Sequence, residues 1–163
     1  MKFIENVSEL VYKIEKGIVA FLCSIILISL TLGVIFRYVL SAPLTWPNET
    51  AIFSLAWLTF VGGSMTIKTS TAPTIDIIVE NLRGRLKHVI NVIGYLLMFL
   101  FVSYIFYLSI NWLSSPNILI QRSGSMELPM IIPYLSIPVS FLFMLIHVLE
   151  LLLHSIFPNK EVE

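Results

Sequence analysis

Residues 17–36 read GIVAFLCSIILISLTLGVIF and contain no charged side chain. At ~1.5 Å per helical residue, this stretch is long enough to cross a hydrocarbon core of ~30 Å. Three further long apolar stretches follow, at residues 50–67, 89–113 and 130–156. The chain is 57% hydrophobic and 12% charged, whereas soluble domains are typically about 25% charged. The sequence therefore predicts an all-α integral membrane protein, a single domain over residues 1–163 with four transmembrane helices.

Lysine and arginine residues concentrate in alternate gaps between the four stretches. Cytoplasmic loops of membrane proteins retain most of these residues. Eight of the ten lie before the first stretch, between the second and third, or after the fourth, namely Lys2, Lys13, Lys16, Lys68, Arg83, Arg85, Lys87 and Lys160. The other two gaps hold one each, Arg37 and Arg122. We therefore expect a multi-pass protein with both termini and the central loop in the cytoplasm.

The segment before the first span, residues 1–16, has apolar residues at helical spacing with charged residues between them. The apolar positions are Phe3, Ile4, Val7, Leu10, Val11 and Ile14. This pattern is typical of an amphipathic helix lying on the membrane surface. The central loop repeats it over residues 75–86. We expect two cytoplasmic interfacial helices, which either widen the surface offered to a larger partner or only anchor the protein.

The spans carry no Asp, Glu, Lys or Arg near the bilayer centre. Ionisable residues at that depth usually mark proton relays and ion paths, so their absence disfavours a pump that works alone. A small homo-oligomeric transporter stays an alternative, although it would need a central carboxylate. The sequence has no phosphate-binding glycine loop, Cys/His metal frame or nucleophile triad. We expect no enzyme activity, no cofactor and no nucleic-acid partner.

Polar residues near the end of the fourth stretch form a second feature. His147, Glu150 and His154 are spaced by three and four, which places them along one helix face. His88 begins the third stretch, so all three histidines should lie at the cytoplasmic edge. This pattern favours a polar cluster that pairs with Lys87 or with a partner chain. The alternative is a cofactor site in a membrane anchor of a haem- or quinone-linked electron-transfer complex.

The fourth stretch has three prolines at its outer end. Pro129 and Pro133 suit a first helical turn, where a missing amide costs little. Pro138 lies deeper, and its ring and missing N–H should kink or loosen the helix about two turns from the outer face. The sequence thus predicts a distorted start to the fourth span.

Several short motifs together resemble a known family. The stretch Phe36-Arg37-Tyr38 precedes Pro43-Leu44-x-Trp46-x-x-Glu49, then Leu55-x-Trp57 and the pair Gly62-Gly63, and the fourth span begins Leu128-Pro129-Met130-x-x-Pro133-Tyr134-x-x-Ile137-Pro138. Their order and their placement against four spans are similar to the small membrane subunit of TRAP transporters, the DctQ-like or Q subunit. The hydropathy pattern matches over nearly the whole chain.

This resemblance implies a function and a set of partners. TRAP systems import organic acids such as C4-dicarboxylates or sialic acid across the bacterial inner membrane, using a sodium gradient. A periplasmic protein delivers the substrate, and a large membrane subunit carries the substrate and sodium sites. The resemblance therefore implies an auxiliary subunit that binds the large subunit, extends its fixed scaffold and contacts membrane lipids. The substrate is not readable from this chain, because its site would belong to another subunit.

The resemblance also suggests structural or partner-docking residues. They are Arg37, Trp46, Glu49, Trp57, Gly62, Gly63, Asp76, Pro129, Pro133 and Pro138. Arg37 and Glu49 lie at the outer ends of consecutive antiparallel spans, so they could form an ion pair. The alternative is an arginine that extends to the interface and a carboxylate stabilised by its helix N-terminus. Asp76 is expected to orient the central loop.

Overall fold

A computed structural model of the chain describes residues 2–69 and 85–157, apart from the side chains of residues 85–87. The long helices are α1 (Lys2–Tyr38), α2 (Trp46–Lys68), α3 (Arg85–Leu113) and α6 (Ser136–Ile156), and the short ones are α4 (Pro116–Ile120) and α5 (Ile131–Tyr134). Four candidate spans are long and apolar enough to cross a membrane, namely Lys2–Tyr38, Trp46–Lys68, His88–Leu113 and Ile131–Ile156. The all-α, four-span prediction is confirmed.

The N-terminal segment is not a separate interfacial helix, because α1 runs from Lys2 to Tyr38 without interruption. At ~1.5 Å per residue a helix of 37 residues is about 55 Å long, well beyond the ~30 Å hydrocarbon core. The buried positions of its first half are Ser8, Val11 and Glu15. Three of the six residues of the predicted apolar stripe face outward, since Phe3, Leu10 and Ile14 are 79%, 59% and 48% exposed. Exposed apolar residues are also what a helix lying against the membrane would present, so the expected orientation of this segment stays a prediction.

The second predicted interfacial helix falls mostly on residues 70–84, which lie outside the described residues. Asp76 belongs to the same segment, so the role expected for it stays a prediction.

The four spans form a row rather than a closed bundle. Helix α1 packs along α2, α2 packs along α6, and α6 packs along α3, while α1 also touches α6. The most apolar windows of the two inner spans are 28% and 39% buried, against 11% for α1 and 6% for the third span. The row therefore leaves the apolar faces of α1 and α3 open.

Two glycines permit close contacts inside the row. A Cβ at Gly33 of α1 would lie 3.3 Å from the Cβ of Pro47 in the first turn of α2. A Cβ at Gly63 would lie 3.3 Å from the Met144 Cε of α6. Among the described residues, Gly62 has no heavy atom within 4 Å of its Cβ position, so of the pair Gly62-Gly63 only Gly63 meets another described helix.

The fourth span is interrupted at Leu135, between α5 and α6. The cause is Pro138, which has no N–H to donate to the Tyr134 carbonyl four residues earlier and whose ring crowds that carbonyl. The Ser136 hydroxyl donates to the Pro133 carbonyl at 2.6 Å and satisfies one acceptor at the break. The distortion that the sequence predicts at this position is present.

Candidate functional site

The described polar contacts between elements concentrate at the two ends of the row. We call the end with residues 39–45 and 114–130 the hairpin end, and the opposite end, with the start of α1 and the end of α6, the termini end. The stretches 17–36, 50–67, 88–121 and 128–149 contain no Asp, Glu, Lys or Arg. The candidate functional residues are therefore found in two separate clusters.

At the hairpin end, Glu49 holds the loop that leads into the fourth span. The amide of Gly124 donates to Glu49 Oε1 at 3.0 Å, and those of Ser125 and Met126 donate to Oε2 at 3.2 and 2.8 Å. Successive backbone amides that converge in a turn form an anion-binding concavity. The carboxylate of Glu49, in the first turn of α2, fills this concavity from a neighbouring helix.

The loop is shaped by its own backbone contacts. Arg122 and Pro129 form an isolated antiparallel bridge, and the Ser123 amide donates to the Leu128 carbonyl at 2.9 Å. Arg122 Nη1 donates to the carbonyl of Glu127 at 3.1 Å, and Glu127 itself has a φ of 52°. These contacts make residues 121–130 a hairpin, which we call the Glu49-bound hairpin.

Two tryptophans support the distorted start of the fourth span. The Trp57 Nε1–H of α2 donates to the Ile132 carbonyl at 3.2 Å, within one turn of the break at Leu135. The ring centroids of Trp112 and Tyr134 are 4.9 Å apart at 60°. Inside a membrane each backbone carbonyl needs a hydrogen-bond partner. The indole N–H supplies such a partner to a carbonyl near the missing proline amide.

At the termini end, five side chains from three helices form a continuous hydrogen-bonded chain. His147 of α6 contacts Glu15 Oε2 through Nε2 at 3.1 Å and Ser8 Oγ through Nδ1 at 2.6 Å. The Ser8 hydroxyl donates to Glu150 Oε2 at 2.5 Å. Lys68 Nζ of α2 donates to both oxygens of Glu150 at 2.7 Å. We call this set the buried polar chain.

The buried polar chain is shielded from solvent. Ser8, Glu15 and His147 are 0% exposed, and Glu150 is 8% exposed. A second pair lies nearer the surface, where His154 Nε2 is 3.0 Å from Glu5 Oε1. The described histidines of α6 therefore pair with α1 of the same chain, whereas a contact with Lys87, whose side chain lies outside the described residues, or with a partner chain stays a prediction. Both ring nitrogens of His147 are engaged, so in this arrangement neither is free to ligate a haem.

Comparison with known protein families agrees with this four-span geometry. Residues 26–157 match the family model described as "Tripartite ATP-independent periplasmic transporters, DctQ component". The chain belongs to the DctQ family. The match covers most of the chain and includes all four spans in part or whole. The resemblance seen in the sequence motifs is confirmed, and the family is a transporter component rather than an enzyme.

A curated relative extends the comparison. The chain is 27% identical over 139 residues to the "Isethionate TRAP transporter permease protein DctMQ" of Oleidesulfovibrio alaskensis. The alignment covers 82% of this chain and 22% of that protein. This DctQ chain thus spans about a fifth of the length of the curated relative it matches.

The DctQ-like motif residues lie mostly at the hairpin end. Arg37 is exposed, and among the described residues it forms no ion pair with Glu49, whose oxygens accept the three loop amides instead. Of the two alternatives for these residues, the Arg37–Glu49 ion pair is therefore not formed in this structure. Trp46 begins α2, and its carbonyl accepts the Thr50 hydroxyl at 3.1 Å. Of the three prolines, Pro133 and Pro138 are buried and Pro129 lies in the hairpin bridge.

Sequence reasoning missed Ser8, Glu15 and Lys68 as site residues. Glu15 was not singled out within the predicted surface helix, and Lys68 was counted only for the charge of a loop. A signal was present, because Ser8, Val11, Glu15, Leu22 and Ser29 follow spacings of three, four, seven and seven on one face of α1. The hairpin amides at residues 124–126 had no side-chain signal that could have paired them with Glu49.

Proposed function

We propose that this chain is the small, fixed subunit of a sodium-coupled TRAP transporter that imports an organic acid. In this proposal the chain binds the large membrane subunit and extends its scaffold, while a periplasmic binding protein delivers the substrate. The observation that carries the proposal is the open row of helices, whose charged side chains lie only toward the two ends of the described spans. Within the described spans, such a row has no charged path through its centre.

The exposed faces of the outer helices support a large membrane partner. Within the most apolar windows, only 11% of α1 and 6% of the third span are buried by the chain itself. In α1 the exposed apolar residues Phe3, Leu10 and Ile14 continue toward the N-terminus. Because α1 is about 55 Å long, part of this apolar face extends beyond the hydrocarbon core. A partner subunit would cover that part better than lipid alone.

The curated relative suggests which kind of protein this chain associates with. Its name joins the M and Q designations, and this chain aligns with 22% of its length. We infer that the rest of that protein includes the large transport subunit, and that the present chain associates with a separate one. An organic acid, with isethionate as one candidate, is then the substrate class to test first.

We place the termini in the cytoplasm of a bacterial cell and the hairpin end in the periplasm. The distribution of Lys and Arg supports this orientation. The Glu49-bound hairpin and the exposed Arg37 then face the compartment of the binding protein. Glu49 fixes the shape of the hairpin in advance, and a preformed loop loses little freedom when a partner docks.

Co-purification and reconstitution test the proposal. The chain would be tagged in its native host, solubilised in mild detergent, and the complex reconstituted into vesicles with a sodium gradient and the binding protein. We expect a stoichiometric large multi-span protein to co-purify, and we expect organic-acid uptake only when both membrane chains are present. Uptake by this chain alone would overturn the subunit assignment and revive the homo-oligomeric transporter.

Arg37 offers a finer test of docking. We expect Arg37→Ala to weaken recovery of the large subunit or lower uptake at limiting binding protein, because it removes the exposed cation at the hairpin end. Arg37→Lys is the matched control, since it keeps the charge, and should retain most of the activity. Equal recovery and uptake in wild type and Arg37→Ala would remove Arg37 from the docking surface.

A further inference from the structure

The buried polar chain has a proton requirement that follows from its geometry. Three contacts link its members in series: Glu15 to His147, His147 to Ser8, and Ser8 to Glu150. Each contact needs one hydrogen between its two atoms. A neutral imidazole supplies one N–H and a serine hydroxyl supplies one O–H, whereas ionised carboxylates only accept. With both glutamates ionised and His147 neutral, two hydrogens must serve three contacts. One further proton is needed.

The position of this proton can be assigned from the two ends of the chain. Lys68 Nζ lies 2.7 Å from both oxygens of Glu150, which is the arrangement of an ionised carboxylate with an ammonium group. Glu150 therefore accepts the Ser8 hydroxyl hydrogen. Ser8 Oγ must then accept from His147 Nδ1–H. The contact left without a hydrogen is the one between His147 Nε2 and Glu15 Oε2.

Charge balance leads to the same position. Glu15 and Glu150 contribute two negative charges, and Lys68 contributes one positive charge. One added proton makes the group neutral, whereas without it a net negative charge stays buried. Glu15 is fully buried, and its Oε1 has no hydrogen-bond partner. An uncompensated carboxylate in such a place is costly.

We propose that Glu15 and His147 form a buried proton-binding site that holds one proton between them in the folded protein. The proton resides on Nε2 of an imidazolium or on the Glu15 carboxyl, and in both forms it closes the contact between α1 and α6. The site connects the start of the first span to the end of the fourth. Loss of the proton would break one of the contacts that join these helices.

Other charged groups lie around the Glu15–His147 site. On α1, Glu9 lies 3.9 Å from Lys68, and Glu5 pairs with His154 of α6. Lys13 and Lys16 of α1 are exposed, and so is His88 of α3. In α2 the charged neighbour is Lys68. Among the described residues, none of these other groups has a hydrogen bond or ion pair to the unpartnered Glu15 Oε1.

The pH dependence of unfolding tests whether the folded site holds this proton. An unperturbed histidine is half protonated near pH ~6.5, so above that pH the unfolded chain lacks the proton that the folded site holds. Stability must therefore fall as pH rises, with the unfolding constant increasing about tenfold per pH unit for one proton. We expect this slope above that pH for the purified full chain in detergent micelles, measured by denaturant titration.

Glu15→Gln separates this site from other titrations. A glutamine amide donates permanently to the Nε2 of a neutral His147, so this variant should lose the tenfold dependence while it stays folded at high pH. Glu5→Gln is the matched control, because it makes the same change on the same helix beside the more exposed His154, and should keep the slope. Equal slopes in wild type and Glu15→Gln would overturn the proposal.

A second measurement does not depend on Glu15→Gln folding. In the double variant His88→Gln/His154→Gln, His147 is the single histidine of the chain, and ¹⁵N labelling reports its protonation by NMR. We expect a protonated Nδ1 at pH 8, together with a hydrogen-bonded proton at Nε2. An unprotonated Nδ1, or an Nε2 without any hydrogen-bonded proton, would contradict the assignment.

Discussion

The Glu49-bound hairpin provides the sharpest test of the fold at the hairpin end. Glu49→Ala removes the acceptor of three amide hydrogen bonds, from Gly124, Ser125 and Met126. Hydrogen bonds to charged groups contribute about 1.5–3 kcal/mol each. Two of these amides belong to exposed residues, so we reduce the value to about 1 kcal/mol per bond because solvent competes for them. The hairpin should then lose about 3 kcal/mol of local stability.

Hydrogen exchange measures this loss directly. Since about 1.4 kcal/mol corresponds to a factor of ten, about 3 kcal/mol increases the open fraction of residues 124–126 by roughly a hundredfold, and their amide exchange should accelerate accordingly. Peptides from the middle of α2 should exchange as in wild type. Glu49→Gln should lie between the two, because one amide oxygen can accept only part of the set.

Glu127→Gln is the matched control for this experiment. It removes a carboxylate from the hairpin itself, but the hydrogen bond between Glu127 and Arg122 is through the Glu127 backbone carbonyl, so exchange at residues 124–126 should stay at the wild-type rate. Equal exchange at these amides in Glu49→Ala and wild type would show that Glu49 does not hold the hairpin. Equal acceleration in Glu127→Gln and Glu49→Ala would show the same.

Two further predictions concern helix contacts. Trp57→Phe keeps the aromatic ring but removes the donor to Ile132, so it should cost about 1 kcal/mol and accelerate exchange near the break in the fourth span; unchanged exchange there would show that the indole bond contributes nothing. Gly17→Ala meets no atom within 4 Å and should gain up to about 1 kcal/mol of stability from helix propensity. Gly33→Ala places a Cβ 3.3 Å from Pro47, so it should gain less stability than Gly17→Ala in thermal unfolding. Equal gains would mean that α1 and α2 separate without cost at Gly33.

The sequence predicts those parts of the fold that depend on local chemistry. The apolar stretches predict the four spans because length and hydropathy suffice to identify a membrane helix. Pro138 predicts the break in the fourth span because the effect of a proline acts on its own preceding turn. These features need no knowledge of which residues meet across the row.

The sequence does not predict which face of α1 turns inward. Periodicity identified a helix, and apolar residues such as Leu10 and Ile14 were taken as the face that meets the membrane. The structure leaves Leu10 and Ile14 exposed, but it buries Ser8 and Glu15 against His147, which lies 132 residues after Glu15. Such a pairing depends on tertiary contact, and a membrane removes the usual rule that the apolar face is the buried one.

The same reason explains the error at Glu49. Its position at the end of a span suggested a nearby cation, and Arg37 was the nearest along the chain. Backbone amides 124–126 were the better partners, since three converging donors satisfy a carboxylate without fixing a long flexible side chain. A backbone amide is the same chemical group whichever residue carries it, so a sequence motif can single out Glu49 but not the amides that it binds.

The two clusters together explain how an open row of helices keeps its shape. Between membrane helices the hydrophobic effect gives little preference for protein over lipid, so polar contacts and close packing must set the register. Helix α2 is held at both ends against the fourth span: Glu49 binds the hairpin that leads into it, and Lys68 binds Glu150 near its end. Gly63 and Met144 pack between these ties. A pair of helices fixed at both ends cannot slide or tilt freely, which is the mechanical property that the proposed scaffold role requires.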